Sequence, residues 1–323
     1  MNNAAQQTMA INQDTALQEE TLPLCRPTEL AEAAGGRRWL IESMWAEEGV
    51  GLIGGSPKSC KSWLGLEMAT SVASGTPCLG RFAVHNPGPA LVFLAEDAQH
   101  VVRDRLQALA SHHHLDFDAL DLHVITSPTL RLDLELDQVR LHNTLASKRP
   151  RMLLLDPFVR LHRIDENSAT EVAKILDFIR RLQREHHTAI VLVHHTRKSG
   201  ARQQAGQALR GSGDFHAFGD SNLYLTHERA RLKLTFEHRA AEAIDPIHLR
   251  LVTEPLHLAL ADAPTPRPTL EEQVIAELNR VETPVSRTSL RERLRVQNKR
   301  LGLALEALLN AQKIRRTPQG WTI

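Results

Sequence analysis

The sequence has only three cysteines and no apolar run near the ~20 residues that a membrane-spanning helix requires. Cys25, Cys60 and Cys78 stand at no paired spacing, so neither a disulfide framework nor a cysteine-based metal site is indicated, and a reducing cytoplasm is the expected setting. Residues 1–20 lack the basic start and apolar centre of a secretory signal and the pattern of a transit peptide. They are polar and rich in Gln and Asn, and residues 1–26 read as a disordered arm. No internal repeat is present. Among the 17 histidines, His112-His113-His114 invites a metal reading, but no second cluster at ligand spacing joins it, and the run reads as a solvated loop.

The chain also lacks a net charge of any size: +1 over 323 residues. Its distribution is uneven. From Pro284 onward nine basic residues face only Glu292 and Glu306, a net of +7 that leaves −6 on residues 1–283. Such asymmetry suggests that the C-terminal segment meets a polyanion.

What is there centres on Gly55-Ser56-Pro57-Lys58-Ser59-Cys60-Lys61-Ser62. An apolar strand pattern, Val50 to Gly54, precedes it, and Leu64 and Met68 mark a helix after it. Strand, glycine-bearing loop and helix opening with Lys-Ser is the arrangement that cradles phosphates on backbone N–H groups, with Lys61 on the β and γ phosphates and Ser62 on Mg²⁺. Cys60 stands where the second glycine of this pattern usually lies. Its side chain either crowds the nucleotide or points away. Its place beside Lys61 at a helix N-terminus is one that lowers a thiol pKa.

Continuous apolar runs at Ala90–Leu94, Met152–Leu155 and Ala189–Val193 are expected of parallel strands buried on both faces. A helix between the last two has Val172, Ile175, Leu176 and Ile179 on one face, and Ser168 and Glu171 at capping-box spacing. Leu232–Phe236 and Ile247–Leu251 alternate and extend the sheet as antiparallel strands. The fold class is therefore α/β, a parallel sheet flanked by helices, over residues 27–261. Residues 262–268 form a proline-rich linker.

Residues 269–323 show helical leucine patterns at Leu270/Val274/Leu278, Leu290/Leu294 and Leu301/Leu305/Leu308/Leu309, then a Pro318-Gln319-Gly320 turn between two short strands. This pattern reads as a small winged helix-turn-helix. Gln297, Asn298, Lys299 and Arg300 open its third helix and Arg315 and Arg316 lie on its wing, all candidates for contact with duplex DNA.

Four further pieces fall where an ATPase needs them. Asp156 ends one apolar run, Glu96 and Asp97 follow another, and His194-His195-Thr196 follow a third. They suit a Mg²⁺-organising carboxylate, a base for the attacking water and a sensor of the γ-phosphate. Arg210 and Arg239 are candidates for a transition-state arginine given by a neighbouring subunit. The segment 196–213, with Arg197, Lys198, Arg202 and Arg210 and no acid, reads either as a loop that tracks single-stranded phosphates or as a plain solvated loop.

In Gly54–Ser62, Phe93–Asp97 with Arg105-Leu106, Leu153–Pro157, Asp165–Asn167, Val193–Ser199 and Leu209–Gly213, the stretch 27–261 resembles the RecA-like ATPases grouped with the RepA-type replicative helicases of plasmids and mobile elements. That resemblance implies ATP and Mg²⁺ as ligands, Lys61 and Ser62 on phosphate and metal, Asp156 on Mg²⁺ and Glu96 as base. It also implies His195 as sensor, an arginine finger acting in trans (Arg239 or Arg210), and a homo-oligomer, a hexameric ring, that engages DNA. Two departures, Cys60 and the appended winged helix, keep open the alternative of an ATP-gated DNA-binding regulator or loader that does not unwind.

Overall fold

A computed structural model of the chain describes residues 24–29, 39–195, 214–228, 231–262, 269–281 and 283–323. Most of the arm (1–23), the linker residues 263–268 and the basic loop 196–213, with Arg197, Lys198, Arg202 and Arg210, lie outside these residues. The chain divides into two units, 1–262 and 263–323.

In the first unit, β1 (Trp39–Ile41) and β2 (Trp45–Ala46) form a small antiparallel pair. Then β3 (Val50–Gly55) runs into α1 (Lys61–Ser74), β4 (Ala90–Leu94) into α2 (Gln99–His112), and β5 (Leu122–Val124) into α3 (Glu135–Lys148). They are followed by β6 (Met152–Asp156), α4 (Ala169–His186), β7 (Ala189–His195), α5 (Asp214–Phe218), β8 (Ser221–Glu228), β9 (Arg231–His238), β10 (Ile247–Thr253) and β11 (Leu256–Ala261). The nine-stranded sheet has the order β11-β10-β9-β8-β3-β7-β6-β4-β5. Strands β8 to β5 in that order are parallel, and β9, β10 and β11 continue it antiparallel.

The unbroken apolar runs have a simple cause. Successive side chains of a strand point to opposite faces, and here both faces are covered. Ile53, Val92, Leu154, Val191 and Val193 pack with Leu64, Met68 and Val72 of α1 and Val102 and Leu106 of α2. Their neighbours Leu52, Leu91, Phe93, Leu153, Leu155 and Leu192 pack with Leu141 and Leu145 of α3 and with Val172, Ile175, Leu176 and Ile179 of α4.

Two local expectations are corrected. Ser168 is the N-cap residue of α4 but makes no side-chain cap bond, and Glu171 reaches instead to the N–H of Asp165 at 2.9 Å, so the capping box does not form. The histidine run is not a solvated loop. His112 closes α2 and stacks on His257 at 3.6 Å between ring centroids, and His113 turns inward to the buried Glu67 carboxylate at 3.0 Å. No local pattern pointed to Glu67, because it lies 46 residues away.

The second unit has its own core. Helices α6 (Leu270–Asn279), α7 (Arg287–Leu294) and α8 (Asn298–Asn310) pack Val274, Leu278, Leu290, Leu301, Leu305 and Leu308 together with Val285 and Ile314. Thr269 and Glu272 close a capping box at the start of α6, and the Ser286 side chain caps α7. β12 (Arg315–Thr317) and β13 (Gly320–Thr322) form an antiparallel hairpin, and Val285 bridges to Trp321. Leu309, read as part of the apolar face, is 38% exposed.

Candidate nucleotide site

Parallel α/β sheets bind ligands outside the carboxyl ends of their strands. Here that edge brings together the loop after β3, the residue after Ala95 at the end of β4, the last residue of β6 and the last residue of β7. Lys58, Ser59, Cys60, Lys61, Ser62, Glu96, Asp156 and His195 line one cleft of about 270 Å³, joined by Trp63, Arg105, Pro157 and Val193. Gly55 adjoins it at the end of β3, and Ser56 and Pro57 lead into the loop. His194 and His195 belong to β7 itself, and alternation turns them to opposite faces: His194 packs against Phe158 and Phe215, while His195 lines the cleft.

The loop is tightly wound. A Cβ on Gly55 would lie 2.5 Å from the Leu225 carbonyl oxygen and 2.6 Å from Ser59 Oγ, so no larger residue fits there. Lys58 and Cys60 both adopt left-handed backbone conformations, φ 64° and 61°. This is the physical reason for glycine at the position of Cys60: a non-glycine residue pays about 1–2 kcal/mol to hold that conformation. His227 on β8 steadies the loop through its Nε2, 3.3 Å from the Lys58 carbonyl.

Lys61 is the first residue of α1, is 5% exposed, and donates from Nζ to the Ser56 carbonyl at 2.8 Å. Burial lowers its pKa, opposed by the negative charge of Asp156 and by Cys60. Burial also raises the Cys60 thiol pKa more than Lys61 lowers it, the reverse of what its place at a helix N-terminus suggests and in keeping with the reading of Cys60 as a small residue tolerated in the loop. Asp156 is 5% exposed. Its Oδ2 is buried without a hydrogen-bond partner among the described residues, as is Ser59 Oγ. Burial pushes the Asp156 carboxyl up to about 6; the nearby Ser62 hydroxyl and Lys61 pull it down, and Asp97 and Glu96 push it further up.

A hydroxyl in the same cleft as a buried carboxylate with a spare oxygen is a set of hard oxygen donors, and it fits a Mg²⁺ ion bound with a nucleotide's phosphates. Glu96 is half exposed and is held by Arg160, whose Nε donates to Oε1 at 2.7 Å. Asp97 instead takes a two-pronged bond from Arg105, at 2.6 and 2.9 Å, and the Arg105 guanidinium lies over Trp63. Arg105 was part of the stretches that carry the family resemblance, whereas Arg160 and Trp63 carried no sequence signal of their own.

Arg239 is not in this cleft. Its guanidinium donates to the carbonyls of Ala217 and Phe218 and pairs with Asp220 at 3.4 Å. The N–H of Asp220 bonds Val50, the first residue of β3, so Arg239 sits beside the far end of that strand, about 17 Å along it from the loop. In the second unit, Gln297, Asn298, Lys299, Arg300, Arg315 and Arg316 are all exposed, and Arg316 lies over the Trp321 ring at 5.8 Å.

The Asp156 environment makes a pH-dependent prediction for the nucleotide-free, metal-free protein. A carboxyl raised from 3.8 to about 6 holds its proton more tightly when folded, so its contribution to stability is fully present below about pH 4 and is lost as pH rises through 6. Above that, the ionised group costs up to about 3 kcal/mol. Asp156→Asn is expected to raise Tm at pH 8 and to leave it unchanged near pH 4. Equal increments at both pH values in thermal melts would show that burial of charge is not the cause.

A family model described as an AAA domain (AAA_25) matches residues 26–201, just over half of the chain. Among solved structures, one described as an ATPase domain matches with a TM-score of 0.53 at 11% identity, covering 81% of this chain and 100% of that one. A DnaB-like replicative helicase, described with its interactions with primase, matches with a TM-score of 0.52 at 11% identity, over 67% of this chain and 58% of that one. At such identity the two structures speak for the fold, and the family match covers the phosphate loop, Glu96, Asp156 and His195. The chain belongs to the AAA_25 family of AAA domains and has the fold of a RecA-like P-loop ATPase.

Proposed function

We propose that this protein is an oligomeric DNA-dependent ATPase of RecA-like, RepA-type organisation, acting as a helicase or DNA motor in the replication or maintenance of a plasmid or other mobile element. The observation that carries the hydrolytic part is the Asp156 carboxylate, buried with an unsatisfied oxygen and facing Ser62, Lys61 and Glu96 across one cleft. ATP is the substrate. Ser62 and Asp156 would hold Mg²⁺, which when bound neutralises charge on the β and γ phosphates. The loop Gly55–Ser62 wraps the phosphates with its backbone N–H groups, and Lys61 exchanges the Ser56 carbonyl for phosphate oxygen. Glu96, released from Arg160, takes the proton of the attacking water, and His195 at the end of β7 reads the γ-phosphate.

The exposed basic residues of the 269–323 unit, read as a winged helix-turn-helix, support duplex contact through Gln297–Arg300 and Arg315–Arg316. Arg197, Lys198 and Arg202 would track a single strand. In the sharpest form of this reading the chains form a hexameric ring and a neighbour's Arg239 or Arg210 completes the cleft. The placement of Arg239 away from its own phosphate loop favours a role in trans. A second reading, an ATP-gated DNA-binding regulator or loader, is favoured by the Arg160–Glu96 ion pair and by the left-handed Cys60, both of which would slow turnover.

Steady-state ATP hydrolysis with and without single-stranded DNA separates the two. A motor is stimulated by single strands; slow turnover indifferent to DNA, with duplex binding intact, would leave only the regulator. In either reading, alanine at both Arg315 and Arg316 is expected to weaken duplex binding. It should also lower the slope of log affinity against log salt by about 1.8, two phosphate contacts at ~0.9 each. An unchanged slope in a salt series would remove the wing from the DNA contact.

A further inference from the structure

We propose that His142, Glu185 and His186 form a binding site for a divalent transition-metal ion of the zinc class, which ties α3 to α4. His142 projects from the middle of α3, and Glu185 and His186 are the last two residues of α4. One ligand atom from each of the three lies within 4.8 Å of the others. Two imidazoles and a carboxylate are a donor set that zinc takes with three protein ligands and one open position.

The distances are close to what coordination needs. With metal–ligand bonds of about 2.05 Å, neighbouring ligand atoms of a tetrahedral site lie about 3.3 Å apart. His142 Nε2 and Glu185 Oε2 are already 3.3 Å apart. The His142 and His186 rings meet edge to face, 4.6 Å between centroids. The remaining pairs close by at most about 1.5 Å, within reach of small side-chain rotations because His142 and Glu185 are each 45% exposed.

A second, independent feature points the same way. Nε2 of His186 is shielded from solvent and has no hydrogen-bond partner among the described residues, an arrangement that native proteins seldom leave without a ligand or a water. Burial and the neighbouring His142 also hold His186 below its ordinary pKa, toward the neutral form that a metal requires. His187, left-handed at φ 52°, ends α4 here, and the last turn is where a helix adjusts most easily.

The site stands apart from the nucleotide cleft. α4 leads into the first residues of β7, whose far end carries His195, about 20 Å along the strand. Zinc binding therefore reads out in stability, with no need of ATP.

The test is titration of the chelator-treated, nucleotide-free full chain with Zn²⁺, followed by calorimetry and thermal melts. One ion per chain with micromolar Kd is expected. At a hundredfold excess over Kd, Tm should rise by roughly 5 °C, lost on addition of EDTA. His142→Ala and His186→Ala should each weaken binding at least about tenfold, and Glu185→Gln, a change at an exposed carboxylate, should do so without lowering the metal-free Tm. His114→Ala, in the chain's triple-histidine run, should bind as the unaltered protein does. Binding weaker than about 100 µM, or Zn²⁺ affinity unchanged in all three site variants, overturns the proposal.

Discussion

Lys61→Ala is expected to lower ATP turnover by about 10²–10³-fold, the usual loss when one preorganised charge is withdrawn from a developing transition-state charge. Lys61 is already fixed in place in the nucleotide-free protein. It opens α1, is 5% exposed and has its Nζ at 2.8 Å from the Ser56 carbonyl, so the ammonium already spans the loop that would wrap the phosphates. The same burial means that the charge is not there for stability. Desolvation lowers its pKa, and Asp156 only partly offsets this. The variant should therefore melt within about 1 °C of the unaltered protein, or above it, while its turnover collapses. Turnover and melting measured on one preparation decide the matter. Loss of less than threefold would remove Lys61 from the chemistry, and a lowered Tm would mean that the fold, not the charge, was lost.

The cleft was legible in the sequence to the extent that it is local. Gly55 to Ser62 are contiguous, and the apolar runs ending at Leu94, Asp156 and Val193 announce strands whose ends must meet at one edge of a parallel sheet. Pairing partners chosen by tertiary packing were not legible. Arg160 reaches Glu96 across 64 residues, and Glu67 receives His113 across 46. No spacing rule encodes either contact. Nor did alternation announce β8, whose run Ser221-Asn222-Leu223-Tyr224-Leu225-Thr226 mixes polar residues into a strand. Ser221 Oγ accepts from the Ala46 N–H of β2 and Asn222 Oδ1 from the Leu52 N–H of β3, so these residues are turned inward, not to solvent. The cost of Cys60 became visible only as a dihedral angle: the sequence marked a missing glycine, and its φ of 61° shows why a glycine is usual there.

The junction of β3 and β8 carries the last large effect: Gly51→Ala is expected to destabilise the first unit by at least about 3 kcal/mol, beyond the usual range for one inserted methyl group. A Cβ on Gly51 would stand 1.7 Å from the carbonyl oxygen of Ser221 and 2.8 Å from its carbon. Both are backbone atoms and cannot rotate away as a side chain would. They are also pinned. Asp220 Oδ2 accepts from the Val50 N–H and Asn222 Oδ1 from the Leu52 N–H, each at 3.1 Å, so these side chains tie β8 to β3 on either side of Gly51. Arg180 of α4 holds Asp220 in turn, with its Nη1 2.5 Å from Oδ2. Relief therefore requires β8 to part from β3, with loss of both bonds. Against a total stability of about 5–15 kcal/mol this is a large fraction. It should appear as a fall in Tm of roughly 6 °C or more for a unit of this size. Because β3 ends in Gly55, the displacement should also weaken ATP binding, unlike a core cavity made at a distance such as Leu145→Ala. Melting and nucleotide affinity measured on both variants give the comparison. A Gly51→Ala protein with unaltered Tm would mean that the two strands separate freely, and that the loop at the end of β3 is held by something other than this sheet.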